Sequence, residues 1–178
     1  VGSAEWLASL VVDVADFPKP GIVFKDITPL LADPDGLRLA VEVLADPFVG
    51  GDIDTVVGVD ARGFIFGAPM AYRLGAAFVP VRKAGKLPRP TRSQGYSLEY
   101  GDDHLEVHRD DLTADKRVVL VDDVLATGGT AAAAASLIQQ SGASLAGAAF
   151  LIELGDLGGR ARMAEVAPGV DPHVLLQY

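Results

Sequence analysis

The residues best suited to chemistry lie in one stretch, 118–130, which reads Val-Val-Leu-Val-Asp-Asp-Val-Leu-Ala-Thr-Gly-Gly-Thr. Two adjacent carboxylates, Asp122 and Asp123, precede a turn with two glycines and two threonines, and an alanine-rich run follows. A strand, a Gly-rich turn and a helix start together make a phosphate site, because backbone N–H groups point outward there and glycine lets the ligand approach closely. Ionised carboxylates only accept hydrogen bonds, so Asp122 and Asp123 suit ribose hydroxyls or the waters of a Mg²⁺. The stretch therefore asks for a ligand with a sugar, a phosphate and a metal. It is not a Walker A loop, since Gly-Lys-Ser/Thr is missing, and no Gly-x-Gly-x-x-Gly opens a helix here. A Gly-Gly turn alone is weak evidence, because many α/β turns use glycine only to reverse the chain. The acidic pair is more specific, since two acids at a buried strand end repel each other unless a ligand uses them.

These groups need a scaffold. Val118, Val119, Leu120 and Val121 read as a buried strand, and residues 130–140 as a helix with Gly142 as its cap. Residues 55–59 predict a second buried strand, running into Asp60-Ala61-Arg62-Gly63, with a helix over 64–74 closed by Gly75. Residues 77–81 predict a third, running into Arg82-Lys83-Ala84-Gly85-Lys86. Ligands of parallel α/β sheets bind beyond the carboxyl ends of the strands. The three polar turns are therefore expected to converge.

Elsewhere, Trp6, Leu7, Leu10, Val11 and Val14 recur at helical spacing, which predicts one helix ending before Phe17-Pro18-Lys19-Pro20-Gly21. Residues 22–27 form a short, mostly apolar segment. Asp33-Pro34 signals a helix start, and Pro47 should stop that helix near Ala45 or Asp46. The stretch from Lys83 to Ser97 is polar, rich in Pro and Gly and without hydrophobic period, so it predicts a mobile lid. Residues 104–107 alternate like a strand. His104, Glu106 and His108 then share a face, for which an exposed strand surface is preferred to a metal site. Residues 146–152 and 174–177 predict further strands, and 158–167 a short helix. The alternation argues an α/β fold with a mainly parallel central sheet flanked by helices.

With 178 residues and 49% hydrophobic composition, the chain suits one domain with a full core. Its apolar segments are too short and interrupted for a transmembrane helix, and its first residues lack the order of a signal peptide. Without cysteine there is no disulfide, thiolate metal site or Cys nucleophile, which fits a cytoplasmic protein. A net charge of −9 argues against nonspecific nucleic-acid binding. Local concentration of the 15 basic residues can still serve a polyphosphate.

Residues 118–130 resemble the phosphoribosyl-pyrophosphate signature of type I phosphoribosyltransferases. Further segments, in order along nearly the whole chain, are similar to the adenine phosphoribosyltransferase family. They are Asp16-Phe17-Pro18, Pro20-Gly21-Ile22-Val23-Phe24-Lys25-Asp26-Ile27, Ala61-Arg62-Gly63-Phe64, Arg82-Lys83 with Gly85-Lys86-Leu87-Pro88, Tyr96-Ser97-Leu98-Glu99-Tyr100-Gly101 and Leu175-Leu176-Gln177-Tyr178. The resemblance implies a single phosphoribosyltransferase domain over 1–178. A small hood is formed near 1–30 with the C-terminal part, and a flexible lid loop covers about 83–101. It also implies transfer of the phosphoribosyl group from phosphoribosyl pyrophosphate to N9 of adenine, giving AMP and pyrophosphate, with Mg²⁺ and in a homodimer.

Site roles follow from the same resemblance. Ala126, Thr127, Gly128, Gly129 and Thr130 would hold the 5′-phosphate, and Asp122 and Asp123 the ribose hydroxyls. Mg²⁺ would be carried mainly by the substrate, with a water-bridged contact to Asp122. Arg62, Lys83 and Lys86 would offset the charge growing on pyrophosphate, and Arg82 would serve the neighbouring subunit's site. The turn at Asp60-Ala61 would carry a non-proline cis peptide. Backbone groups of Val23 and Lys25 would read the amino group and N1 of adenine, Phe24 and Leu154 would sandwich its ring, and Glu99 would supply or relay a proton near N7. An oxopurine would set O6 against a backbone carbonyl, at a cost of about 1–3 kcal/mol. Three features depart from the family pattern: Lys25 where arginine is frequent, a helix shortened by Pro47, and a more basic lid at residues 89–94. Two alternatives stay open: a non-catalytic sensor of phosphoribosyl pyrophosphate, and the same enzyme type acting on xanthine or hypoxanthine.

Overall fold

The structure, a computed structural model, describes residues 3–98 and 101–178. The chain opens with α1 (Ser3–Ser9), β1 (Val12–Ala15), β2 (Val23–Asp26), α2 (Thr28–Ala32) and α3 (Pro34–Ala45). It continues with β3 (Thr55–Val59), α4 (Gly63–Leu74), β4 (Ala77–Lys83), β5 (Thr91–Leu98) and β6 (Gly101–His108). The last part holds β7 (Arg117–Leu125), α5 (Gly129–Gln140), β8 (Ser144–Glu153), α6 (Gly159–Val166) and β9 (His173–Gln177).

Seven strands form the main sheet in the order β5-β6-β4-β3-β7-β8-β9. Strands β4, β3, β7, β8 and β9 run parallel, while β6 pairs antiparallel with β4 and β5 with β6. The chain leaves β3 toward β4 and later returns to its other side as β7. Strands β3 and β7 thus flank a topological switch, with the crevice beyond their carboxyl ends. The alternating side chains of β7 serve both faces: Val118 and Leu120 join a core under α5, and Val119 and Val121 join one under α3 and α4. This double burial explains the unbroken apolar run. Among the described residues no helix is long and apolar enough to cross a membrane.

Several predicted elements stand as read. Asp33 caps α3 by accepting from the Asp35 and Gly36 N–H groups, and the α-helix ends at Ala45 before a 3-10 turn holding Pro47. Gly75 closes α4 in the left-handed region, at φ 67°.

Three predictions are corrected. The expected helix through Val14 ends at Ser9, and Val12–Ala15 pairs antiparallel with Val23–Asp26 in a separate two-stranded sheet. The β-branched residues of 11–14 favour the extended form once a partner strand exists. The Pro-Gly segment supplies that partner by turning the chain back. Asp16 Oδ1 accepts from Gly21 N–H at 2.7 Å, Gly21 has φ 85°, and Phe17-Pro18 is cis. The stretch 83–101, expected as a flexible lid loop, instead contains strand β5, paired residue by residue with β6 from Thr91↔His108 to Leu98↔Gly101. As the edge strand it can be polar and still complete its hydrogen bonds on one side. Glu99 and Tyr100 lie outside the described residues. His104 is exposed and Glu106 half-buried, but His108 is buried, so these three residues do not form one exposed face.

Candidate functional site

A cavity of about 550 Å³ opens at the carboxyl ends of β3 and β7. One wall is the turn from β7 into α5. Gly128 sits there with φ 78°, and a Cβ on it would lie 2.6 Å from the Gly159 carbonyl oxygen. The position therefore needs glycine twice, for its backbone angle and for the close approach of α6. The first helical hydrogen bond, from Ala132 N–H to the Gly128 carbonyl at 2.8 Å, leaves the preceding N–H groups free to receive an anion.

Beside this turn lie the two carboxylates. Asp123 is buried and forms an ion pair with Nε of Arg62. Arg62 is placed by the N-terminus of α4, just after the cis peptide between Asp60 and Ala61. Its guanidinium carbon also lies 5.9 Å from the centre of the Phe24 ring. Asp122 Oδ1 accepts from the Asp123 N–H at 2.9 Å. Burial, and then the neighbouring Asp123 charge, hold the Asp122 carboxyl well above its ordinary range. A cation or sugar hydroxyl entering the cavity would meet one carboxylate already paired with Arg62 and one whose nearest ionic neighbour is a like charge.

The opposite rim is a set of ion pairs. Burial pushes the Asp60 carboxyl up, but hydrogen bonds from Lys86 Nζ at 2.8 Å and Arg82 Nε at 3.2 Å outweigh it and hold it below its usual range. Lys83 Nζ lies 2.9 Å from Asp103, which also accepts from the Tyr96 hydroxyl at 3.2 Å. The Lys83 contact is the chief cause that holds Asp103 low, and burial is the chief cause that pushes the Tyr96 phenol up.

Strand β2 covers the remaining side with Val23, Phe24 and Lys25, and Leu154 lies across from it just after β8. The edge of Phe24 meets Phe17 at 5.2 Å between ring centres. The Lys25 ammonium is taken up elsewhere, 2.7 Å from Asp13 Oδ1 and 3.9 Å above the Tyr178 ring. Its peptide is thus what Lys25 can offer the cavity, which fits a backbone reading of the base and makes the absence of arginine there immaterial.

The cavity brings together Val23, Phe24, Lys25, Arg62, Lys83, Asp122, Asp123, Ala126, Thr127, Gly128, Gly129, Thr130 and Leu154. Arg82 and Lys86 are not in its lining; both reach it only through Asp60, which is. Glu99 is outside the described residues. Sequence reasoning missed Asp60, Tyr96 and Asp103 as site groups. Tyr96 and Asp103 face each other across the β5–β6 register, a pairing invisible while residues 91–98 read as a loop.

The fold and this cavity define a phosphoribosyltransferase: residues 35–166 match the family model described as phosphoribosyl transferase domain. An adenine phosphoribosyltransferase of Streptomyces clavuligerus is 59% identical over 162 residues, covering 91% of this chain and 91% of that protein. The crystal structure of adenine phosphoribosyltransferase from Rhodothermus marinus superposes with a TM-score of 0.92 at 49% identity, covering 99% of this chain and 98% of the other. That of the Saccharomyces cerevisiae enzyme, complexed with an imino-altritol bisphosphate and adenine, gives 0.90 at 37% identity, with 98% of each chain covered. The chain belongs to the adenine phosphoribosyltransferase family.

Proposed function

We propose that this chain transfers the 5-phosphoribosyl group from phosphoribosyl pyrophosphate to N9 of adenine, releasing AMP and pyrophosphate. The observation that carries the reading is the joining, in one cavity, of the phosphate turn 126–130 and the acidic pair with an apolar cleft between Phe24 and Leu154. The turn takes the 5′-phosphate through N–H groups and the Thr127 and Thr130 hydroxyls. Asp122 and Asp123 take the ribose hydroxyls, and Arg62 and Lys83 face the pyrophosphate. Lys86 and Arg82 lend their charge from the rim. The C1′–O bond breaks as pyrophosphate leaves with the electron pair, adenine N9 forms the new bond on the opposite face, and the imidazole N–H proton that the base loses is relayed away near N7 by Glu99. The cations stabilise the charge that develops on the leaving group.

Mg²⁺ belongs to this proposal. Among the described residues no cluster of three or more His, Asp or Glu forms a cage for a metal. Two carboxylates beside a phosphate turn suit an ion carried largely by substrate oxygens and water. Asp122 and Asp123 would orient its bound water, Asp122 through a water-bridged contact, and neither would ligate it directly. When bound, the ion supplies charge neutralisation for the pyrophosphate. Glu99 is assigned the proton near N7, and cytoplasmic residence and a homodimer, to whose second site Arg82 contributes, complete the reading. The stretch near 1–30 serves with the C-terminal part as hood, and the stretch of about 83–101 as lid, of a single unit.

Pyrophosphate release, followed with one base at a time, tests the assignment. Adenine should exceed hypoxanthine and guanine by roughly five- to a hundredfold in kcat/KM, the factor one mismatched buried polar group imposes. Faster turnover of an oxopurine would overturn the base, and phosphoribosyl-pyrophosphate binding without turnover of any purine would favour a sensor.

A further inference from the structure

Tyr178 plays no part in the reaction as described, yet it touches both walls of the purine subsite. Its N–H donates to the Glu153 carbonyl at 3.0 Å, and its carbonyl accepts from Gly155 N–H at 3.0 Å. These two bonds bracket Leu154, so the residue whose side chain faces the base is gripped on both sides by residue 178. The ring of Tyr178 meanwhile lies 3.9 Å below the Lys25 ammonium, which Asp13 holds from elsewhere at 2.7 Å. Lys25 belongs to β2 and Asp13 to β1, directly opposite each other in register.

The hood has little else to place it. Its two strands form a sheet of their own, and all four residues of β1 are exposed. A cation held over an aromatic face is an attraction with direction, stronger where water is partly excluded, and the Lys25 side chain is only 15% exposed.

We propose that Tyr178 is a positioning residue for the purine subsite, setting the Lys25 peptide on the hood against Leu154 on the main sheet. It touches neither substrate nor reacting atoms. It acts through Lys25 and through the strand end that carries Leu154. The backbone bonds survive any substitution at 178 except proline, whereas the tie to the hood depends on the ring alone. The inference rests on the subsite taking adenine as proposed above.

Steady-state kinetics with adenine and phosphoribosyl pyrophosphate varied separately test it, on the full chain and on Tyr178→Phe, Tyr178→Leu, Lys25→Met and the double variant Tyr178→Leu/Lys25→Met. Tyr178→Leu should raise the adenine KM roughly three- to tenfold, as loss of a partly desolvated cation–ring contact predicts. The KM for phosphoribosyl pyrophosphate should stay within about twofold, and Tyr178→Phe, which keeps the ring, should restore the adenine KM. Lys25→Met should raise the adenine KM at least as much as Tyr178→Leu, because it also removes the Asp13 ion pair, and the double variant should lose little more than Lys25→Met alone, because the ring contact is already gone. An unchanged adenine KM in Tyr178→Leu, equal shifts in both Michaelis constants, or losses that add in full would overturn the positioning role while leaving the adenine reading intact. Failure of the unaltered chain to bind or turn over adenine would overturn both.

Discussion

Gly159→Ala places the smallest possible side chain on the back of the phosphate turn. A Cβ at Gly159 would stand 2.4 Å from the Ala126 carbonyl oxygen and 2.8 Å from Cγ of Leu125. Two effects compete. Alanine favours helix over glycine by up to about 1 kcal/mol in a helix interior, and by less at the first residue of α6. Against it, the Ala126 carbonyl must move by roughly half an ångström or more, and overpacking of this kind costs about 1–3 kcal/mol. The contact is to backbone, which cannot rotate away as a side chain can. The overlap should therefore win, with a net loss of about 1 kcal/mol or more in urea denaturation. The displaced segment, 126–128, is the one proposed to hold the 5′-phosphate. A positional error of this size is expected to raise the KM for phosphoribosyl pyrophosphate by on the order of tenfold, while the adenine KM changes far less. A variant as stable as the parent, with an unchanged KM for phosphoribosyl pyrophosphate, would refute the coupling of α6 to the turn.

Asp122→Asn tests the electrostatics of the acidic pair. A carboxyl raised in the folded state holds a proton that the unfolded chain has already released, so stability is lost as pH rises from about 4 through the raised value. The asparagine variant escapes this loss and should gain about 1 kcal/mol over the parent at pH 7 but little near pH 4. Equal urea midpoints at pH 7, or the same advantage at both pH values, would count against the burial argument. Glu99→Ala should lower kcat by roughly a hundredfold or more while the KM for phosphoribosyl pyrophosphate stays within about twofold. Equal losses in both parameters, read by initial rates, would remove Glu99 from proton transfer.

Much of this site could be read from the chain because its signals are local. The run Val118–Val121 with the acids and glycines behind it carries strand, turn and ligand chemistry in 13 residues. The Asp33 cap and the Gly75 stop are equally local. What stayed hidden depends on partners distant in sequence. Val11 and Val14 fit a helical period while Val12 and Val14 alternate as in a strand, and only the return of Val23–Asp26 decides between them. Thr91–Leu98 has no apolar alternation because it lies at the edge of the sheet, where its pairing with β6 replaces burial as the organising force. Arg82 and Lys86 were legible as cations near a phosphate site. That buried Asp60 gathers both at the rim could not be read from their spacing.

The central claim is that one cavity joins C1′ of the phosphoribosyl group to N9 of adenine. Incubation with phosphoribosyl pyrophosphate, Mg²⁺ and adenine labelled with nitrogen-15 at N9, followed by NMR of the product, tests it directly. The account predicts AMP in which the labelled nitrogen couples to the ribose H1′ proton, formed one-for-one with pyrophosphate. Unchanged adenine, or a product whose sugar is joined to a different nitrogen, would contradict it.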